Sequence, residues 1–137
     1  MRLLDASADA NLASPKLTLS LASTPEEVRE VQRLRYKVFI ESMGLSSLQN
    51  EERLDKDEFD AYCDHLIVRD SQTLKVVGTY RVMSPQGARK MGQFYSEQEF
   101  DLSRLNNLRG SIAEAGRACI CLLYTSGAAD DSLRVDL

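Results

Sequence analysis

A chain of 137 residues is the length of a single domain and can bury a core. With 43% hydrophobic and 28% charged residues the composition is that of a globular protein, and the net charge of −4 disfavours general nucleic-acid binding. No apolar run reaches the roughly 18 residues of a membrane span, and the first residues lack a signal-peptide pattern, so we expect a cytoplasmic protein.

The first predicted elements are a strand and a helix. Residues 1–15 have no period and are predicted to be a loose leader. Residues 17–22 alternate leucine with small or polar residues, which predicts a short strand. Thr24, Pro25 and Glu27 then match a capping box with proline at the first helical position, so a helix should begin here.

One face of this helix carries an arginine. The positions that share the face are Val28, Val31, Arg35, Val38 and Phe39. Burying a guanidinium without a partner costs several kcal/mol. Arg35 must therefore either meet an anionic group or extend along the core edge to water. We expect the helix to end at Gly44 with a left-handed cap.

An acidic run precedes the next predicted strand. Five carboxylates lie within ten residues, namely Asp55, Asp57, Glu58, Asp60 and Asp64. Such a run is either a solvated loop or a cradle for a cation, such as an amine or a metal. A metal site built from Asp57, Asp60, Cys63 and His65 is disfavoured, because the ligand types are mixed and the glycine of a calcium loop is absent. The three cysteines are expected to be reduced and mostly buried.

The second half of the chain predicts more strands. The segments 65–70 and 75–83 are rich in strand-forming residues and flank a polar turn, which predicts a hairpin. Arg81 interrupts the apolar face of the second of these strands, either as a partnered charge or as an exposed strand-end arginine. Pro85 and Gly87 should break that strand.

Two further patterns precede the end of the chain. Ser96 to Glu99 match a capping box, which predicts a short helix that carries Phe100 inward. Residues 112–120 predict a strand, in which a bulge at Gly116 would place Glu114 and Arg117 on the same side.

Five segments carry a family resemblance. They are RYKVF at 35–39, DEFDAYCDHL at 57–66, VGTYR at 77–81, FYSEQEFD at 94–101 and EAGRAC at 114–119. In this order and spacing they resemble the amino-terminal half of the hemolysin-like ornithine-acyl carrier protein N-acyltransferases, which belong to the GNAT superfamily. The resemblance covers roughly residues 20–120.

The resemblance implies a fold and an activity. The fold would be α/β, a mainly antiparallel GNAT-like sheet with helices packed on it, over residues 16–120 and truncated after the fourth strand. The activity would move a 3-hydroxy fatty acyl group from acyl carrier protein, as a phosphopantetheine thioester, to the α-amino group of ornithine, with no bound cofactor or metal. The product begins ornithine-lipid synthesis, which implies peripheral contact with the inner face of the membrane.

The resemblance also implies roles for seven residues. Glu114 and Arg117 would be catalytic, and the substrate-binding residues would be Arg35, Phe39, Asp57, Asp60 and Arg81. An amino-acid acceptor carries an ammonium and a carboxylate, so its site needs acids and arginines together. Glu114 would take the proton of the amine or orient the base, and the aspartates would hold acceptor amines or pair with the arginines. The arginines would hold those acids and the acceptor carboxylate.

Other readings remain open from the sequence. The same segments resemble acyl-homoserine-lactone synthases more distantly, and their acceptor would be S-adenosylmethionine. A non-catalytic module that binds an amino acid or an acyl carrier is the third reading, with Arg33, Lys37, Arg89 and Lys90 as cationic contacts. Residues 121–137 resemble translated sequencing adapter, so the chain is expected to be an inactive fragment with a foreign tail and an exposed sheet edge.

Overall fold

The computed structural model describes residues 16–121. The strands and helices are β1 (Leu17–Leu21), α1 (Pro25–Arg35), β2 (Asp64–Asp70), β3 (Val76–Met83), α2 (Pro85–Met91) and β4 (Glu114–Ile120). A π-helical segment spans Tyr36–Ser42, and short 3₁₀ turns span Ser46–Leu48, Asp60–Tyr62, Tyr95–Gln98 and Ser103–Leu108. Within 16–121 no helix has the length and apolar character needed to cross a membrane. The predicted leader and the tail after residue 121 lie outside the described residues.

The four strands form one antiparallel sheet in the order β1-β2-β3-β4. The predicted first strand and hairpin are confirmed, and so is the mixed α/β class with a mainly antiparallel sheet. The hairpin turn is fixed by Asp70, whose carboxylate accepts hydrogen bonds from the backbone N–H of Gln72 at 2.8 Å and of Thr73 at 3.3 Å. An aspartate at the start of a turn stabilises it in this way.

Helix α1 begins where the capping pattern predicts. Thr24 is the N-cap, and its hydroxyl accepts a hydrogen bond from the backbone N–H of Glu27 at 3.1 Å. The return bond differs from the prediction, because the Glu27 carboxylate accepts from the backbone N–H of Ser23 at 2.8 Å rather than from Thr24. The Ser23 hydroxyl also donates to that carboxylate at 3.0 Å. Glu27 is therefore bonded twice to the residue that precedes the cap.

The sequence predicted that the helix continues to residue 43, but the α-helical form ends at Arg35. From Tyr36 to Ser42 it widens into a π-helix that buries Tyr36, Val38 and Ile40. The Ser42 hydroxyl donates to the carbonyl of Lys37, five residues earlier, at 3.0 Å. Such side-chain bonds to the backbone compete with regular α-helical bonding. The left-handed position at Gly44 is confirmed, with φ of 73°.

The predicted apolar faces of α1 and β3 meet in the core. α1 packs against β3 and β2, and Val31 is fully buried. Leu34 and Val38 pack with Cys119 of β4 in one cluster. The second cluster consists of Phe59, Met83, Ala88 and Phe94. The first cluster holds α1 and the π-helical segment against β4, and the second holds the acidic run against β3 and α2.

Helix α2 is an element that the sequence analysis missed. Strand β3 does end at Met83, but Pro85 occupies the first turn of a helix rather than a simple break. The Ser84 hydroxyl caps this helix by accepting from the backbone N–H of Gly87 at 3.0 Å. This serine–proline pair uses the same capping chemistry as the threonine–proline pair that starts α1.

The prediction that Phe100 points inward is wrong. Its side chain is 63% exposed, whereas Phe94 is 3% exposed and belongs to the core. The 3₁₀ turn Tyr95–Gln98 starts earlier than the sequence pattern suggested, because the carboxylate of Glu97 accepts from the backbone N–H of Phe94 at 2.7 Å. Ser96 therefore lies inside the turn instead of capping it.

Strand β4 contains the bulge that the sequence analysis expected, but one residue later. Tyr80 of β3 stands opposite two residues of β4, Arg117 and Ala118. Arg117 takes up the irregularity with φ of 54°, a left-handed value that is uncommon outside glycine. Glu114 and Arg117 line the same cleft as a result.

Candidate active site

A cleft of about 650 Å³ lies between the end of α1, the acidic run and β4. Its polar lining consists of Asp55, Arg81, Tyr95, Ser96, Glu114 and Arg117. Its apolar lining includes Phe39, Ile40, Leu45, Leu48, Phe59, Met83 and Phe100. Of the seven residues named from the sequence, Phe39, Arg81, Glu114 and Arg117 line the cleft directly. The other three, Arg35, Asp57 and Asp60, connect to the cleft through ion pairs.

The acidic run folds so that its carboxylates face the same arginines. The Asp57 side chain accepts from the backbone N–H of Phe59 at 2.9 Å and of Asp60 at 3.1 Å. These bonds stabilise the turn that leads into Asp60–Tyr62, as carboxylates do at the start of helical turns. Phe59 is 1% exposed and anchors the run in the core. The run is therefore a fixed structure rather than a solvated loop.

Arg35 is completely buried and is paired with anionic groups, as a guanidinium in an apolar helix face requires. Its Nε donates to the Asp55 carboxylate at 3.0 Å, and its Nη1 and Nη2 donate to the two Asp60 oxygens at 2.8 and 2.9 Å. Nη2 also donates to the backbone carbonyl of Asp55. The alternative, in which Arg35 reaches water along the core edge, does not occur.

Arg81 is buried rather than exposed at a strand end. Its Nη1 donates to Asp57 at 2.8 Å and to Asp60 at 2.7 Å, and its Nη2 donates to the other Asp57 oxygen at 2.9 Å. The fork of the guanidinium thus holds Asp57 through both oxygens, which is the strong bidentate geometry. β3 supplies this arginine from the face that also carries Thr79 and Met83, both buried.

Arg117 joins the same group of charges from β4. Its Nη1 donates to the Asp55 carboxylate, and its Nη2 lies 3.4 Å from Asp57. We call the six residues the arginine–aspartate network; its members are Arg35, Arg81, Arg117, Asp55, Asp57 and Asp60. Three positive and three negative charges compensate one another, which a buried set of ions requires.

Electrostatic effects within the network follow from burial and pairing. Burial alone raises the pKa of Asp60, but the hydrogen bonds and charges of Arg35 and Arg81 outweigh burial and hold that pKa well below its usual range. Burial lowers the pKa of Arg81, and its bonds to Asp57 and Asp60 more than offset this, so the pKa is raised. Both shifts favour the charged forms of Asp60 and Arg81.

The two oxygens of Asp60 have no capacity left for a substrate amine. Besides Arg35 and Arg81, they accept from the Gln32 side chain at 3.0 Å and from the backbone N–H of Asp57 at 3.2 Å. A carboxylate offers about four lone-pair positions. Of the two roles weighed for Asp60, pairing with arginine is the one that this geometry favours.

Glu114 projects from the first position of β4 to the start of the Tyr95–Gln98 turn. Its Oε1 accepts from the backbone N–H of Tyr95 at 2.7 Å, and its Oε2 accepts from that of Ser96 at 2.9 Å. The Ser96 hydroxyl also donates to Oε2. Since Oε1 accepts a single bond from the described residues, it retains capacity for another donor from the cleft.

Tyr95 connects the network to the cleft. Its ring centroid lies 5.3 Å from the guanidinium carbon of Arg81 and 5.7 Å from that of Arg117. Cations at this distance from an aromatic face are attracted to it. Phe59 contacts the ring edge-on, with centroids 5.3 Å apart. Tyr95 therefore restricts where the Arg117 side chain can point.

Three site residues were not identified from the sequence: Asp55, Tyr95 and Ser96. Asp55 belonged to the acidic run, but no local pattern distinguished it from its neighbours. Ser96 was assigned to a capping pattern instead of to Glu114. Tyr95 carried one usable signal, because it lies in the FYSEQEFD segment that carries the family resemblance.

In the described part of the chain, Asp57, Asp60, Cys63 and His65 do not form a metal-binding arrangement. His65 Nε2 lies 2.9 Å from the backbone carbonyl of Asp60, and the Asp57 and Asp60 carboxylates are held by arginines. Within residues 16–121 no group of three or more acidic, histidine or cysteine side chains has a metal-binding arrangement. Burial raises the pKa of the Cys63 thiol to about 11, which disfavours the metal-binding thiolate.

The four basic residues proposed for carrier binding lie on three helical segments. Arg33 and Lys37 are exposed on α1 and the π-helical segment, and Arg89 and Lys90 are exposed on α2. Each pair is close along the chain, and the two pairs belong to different helical segments.

Comparison with known families shows which family the chain belongs to. Residues 34–134 match the acetyltransferase (GNAT) domain family, and the chain belongs to that family. This match spans the whole of the arginine–aspartate network and Glu114.

Curated relatives give the comparison more detail. The chain is 36% identical over 118 residues to L-ornithine N(alpha)-acyltransferase of Rhodobacter capsulatus, covering 81% of this chain and 46% of the relative. It is 38% identical over 121 residues to the Brucella abortus protein of the same name, covering 80% of this chain and 42% of the relative. The chain thus spans less than half the length of these relatives.

A solved structure shares the fold. The crystal structure of the AHL synthase LasI superposes with a TM-score of 0.50 at 16% sequence identity, over 79% of this chain and 55% of that chain. At this identity the likeness concerns the fold alone. The sheet and its helices therefore share the arrangement of that structure.

Proposed function

We propose that this chain forms the acceptor side of an N-acyltransferase site, which transfers a 3-hydroxy fatty acyl group to the α-amino group of ornithine. The observation that carries the proposal is the composition of one cleft. Glu114 and Arg117 lie in it beside an apolar wall that contains Phe39. A zwitterionic acceptor suits the polar groups, and a hydrocarbon chain suits the apolar wall. The names of the relatives support the same acceptor.

The proposed reaction needs a proton acceptor. The neutral α-amine attacks the thioester carbonyl carbon, a C–N bond forms, and the C–S bond breaks to release the thiol. The amine nitrogen must lose a proton in this step, and a carboxylate within hydrogen-bond reach can take it directly or through a water molecule. Glu114 Oε1 has the remaining capacity for this bond, while Tyr95 and Ser96 hold its orientation.

Arg117 is the arginine of the network that suits the acceptor carboxylate. Its side chain is 24% exposed, whereas those of Arg35 and Arg81 are 0% and 5% exposed. A guanidinium binds carboxylates with a fixed, planar set of donors. Arg35 and Arg81 would act behind it, by holding Asp55, Asp57 and Asp60 in position.

The donor that we propose is the phosphopantetheine thioester of acyl carrier protein, with no bound cofactor. Acyl carrier proteins are acidic, so exposed basic residues are the natural contacts. The candidates are Arg33, Lys37, Arg89 and Lys90. Because the product is a lipid, the reaction would take place at the cytoplasmic face of the membrane, with peripheral contact.

Because the chain spans less than half the length of its relatives, we expect the chain alone to be inactive. The direct test is to extend it to the length of those relatives, incubate that protein with 3-hydroxyacyl-acyl carrier protein and ornithine, and look for acylated ornithine by mass spectrometry. Product supports the proposal. Acylation of S-adenosylmethionine instead would identify an acyl-homoserine-lactone synthase-like enzyme. Binding of ornithine or carrier without turnover of either acceptor would leave a non-catalytic binding module.

Substitution of Glu114 separates chemistry from folding. In Glu114→Gln we expect kcat to fall by about 10²-fold or more, because general-base catalysis contributes 10²–10⁴-fold. The free energy of unfolding should fall by no more than about 1–2 kcal/mol, since the amide oxygen still accepts a bond. Glu99→Gln, an exposed carboxylate five residues past the buried Phe94, is the matched control. Parallel losses of turnover and stability in Glu114→Gln would contradict the base assignment.

A further inference from the structure

Asp55 differs from the other two aspartates of the network in one respect. Both oxygens of Asp57 and both oxygens of Asp60 accept hydrogen bonds from arginine. Asp55 uses only Oδ2, which accepts from Arg35 and Arg117. Among the residues that the structure describes, no donor reaches its Oδ1. Asp55 also lines the cleft, whereas Asp57 and Asp60 do not.

The position of Asp55 is well fixed. Its backbone N–H donates to the Gln32 carbonyl at 3.0 Å, and its own carbonyl accepts from Arg35 Nη2. Arg35 Nε holds Oδ2 at 3.0 Å, and the side chain is 14% exposed. A carboxylate held at one oxygen by two arginines presents the other oxygen in a defined direction. Such a preorganised group loses little conformational entropy when it binds a ligand.

Charge balance indicates what Asp55 can bind. The network is neutral, with three arginines and three aspartates. An acceptor that places its carboxylate on Arg117 adds one negative charge to this region, and its α-amine is uncharged when it reacts. A second, distal ammonium on the acceptor restores neutrality, whereas an acceptor with an apolar side chain leaves the added charge uncompensated.

We propose that Asp55 Oδ1 binds the distal ammonium of a diamino acid acceptor and thereby selects for such acceptors over apolar amino acids of the same length. This inference rests on the proposed function, since it assigns the acceptor subsite of the same cleft. Ornithine would place its carboxylate on Arg117, its α-amine toward Glu114 and its distal ammonium on Asp55. Selection by Asp55 would also keep the distal amine away from the thioester, so that the α-amine reacts.

The test compares two ligands that differ only in the distal ammonium. The dissociation constants of ornithine and of norvaline, which has the same carbon chain without that group, are measured by calorimetry on the full chain without acyl donor. A charge-assisted hydrogen bond predicts that the wild type binds ornithine roughly 10- to 100-fold more tightly than norvaline. Asp55→Asn should reduce this preference to within about threefold and leave norvaline affinity nearly unchanged. Glu58→Gln, an exposed acid of the same run, is the charge-matched control and should keep the preference.

The outcomes separate this inference from the proposed function. Equal weakening of both ligands in Asp55→Asn would show that Asp55 only supports Arg117 and would overturn the inference, even if the wild type acylates ornithine. The second outcome is a wild type that prefers ornithine, an Asp55→Asn variant that loses this preference, and no acyl transfer by the extended wild type. This outcome would support the inference and overturn the proposed reaction. A wild type that binds neither ligand overturns both. If Asp55→Asn does not fold, the ¹³Cγ resonance of Asp55 in the wild type should shift with ornithine and not with norvaline; equal shifts would overturn the inference.

Discussion

Asp60 is the carboxylate whose loss should cost the fold most. It pairs with two buried arginines, Arg35 and Arg81, and accepts a further bond from Gln32. Asp60→Asn changes the shape of the side chain very little but removes the one negative charge that both arginines share, which leaves Arg35 with Asp55 and Arg81 with Asp57. Breaking a buried ion pair in this way costs about 3–5 kcal/mol. That is a large part of the roughly 5–15 kcal/mol that separates a folded domain from its unfolded state.

Urea unfolding measures this loss. With a slope of about 2 kcal/mol per molar urea, a loss of about 4 kcal/mol lowers the unfolding midpoint by roughly 2 M. The control Glu58→Gln removes an exposed charge from the same run and should stay within about 0.5 kcal/mol of the wild type. An Asp60→Asn protein within about 1 kcal/mol of the wild type would refute the view that Asp60 compensates buried charge.

Acid should have a related effect. Because the folded-state pKa of Asp60 lies below its ordinary value of 3.8, its contribution to stability is complete above that value and is lost as the pH falls further. The wild type should therefore lose stability below about pH 4, and Asp60→Asn should lose less over the same interval. Identical acid profiles for the two proteins would contradict the assigned direction of the pKa shift.

Two other predictions concern single positions. His65 is the one histidine of the chain and is 2% exposed, and burial lowers its pKa below 6.5, so stability should decline as the pH falls below that value; an NMR titration midpoint at or above 6.5 would contradict this. A Cβ at Gly87 would lie 2.3 Å from the backbone carbonyl oxygen of Tyr62, so Gly87→Ala should destabilise by about 1–3 kcal/mol despite the better helix propensity of alanine, and thermal melting at or above the wild-type temperature would refute the clash.

The sequence predicted those parts of the fold that depend on local patterns. The start of α1 followed from three neighbouring residues, and the hairpin followed from alternation and an aspartate turn. The arginines of α1 and β3 were recognised because each interrupts an apolar face, and both proved to be buried and paired. A charged residue in an apolar stripe can thus be recognised locally, and it predicts an oppositely charged partner elsewhere in the fold.

The pairing pattern itself was not predictable from one sequence. Asp55 and Arg117 are 62 residues apart, and no local rule distinguishes Asp55 from the four other acids of its run. The sequence predicted that Phe100 is buried, whereas Phe94 is the buried ring, and the reason is similar. A shift of the turn by one or two residues decides which of the two rings is buried. Helix α2 was missed although its Ser84–Pro85 start carries a capping signal.

The spread of the network along the chain has a consequence for the order of folding. During synthesis Arg35, the three aspartates and Arg81 all emerge before Arg117. Until β4 arrives, these groups carry three negative charges and two positive ones, and they lie beside the edge of β3 where β4 must pair. The nascent chain therefore holds an unmatched negative charge at that edge. The last strand brings its own arginine to this edge, so electrostatic attraction favours the docking of β4 as the sheet is completed.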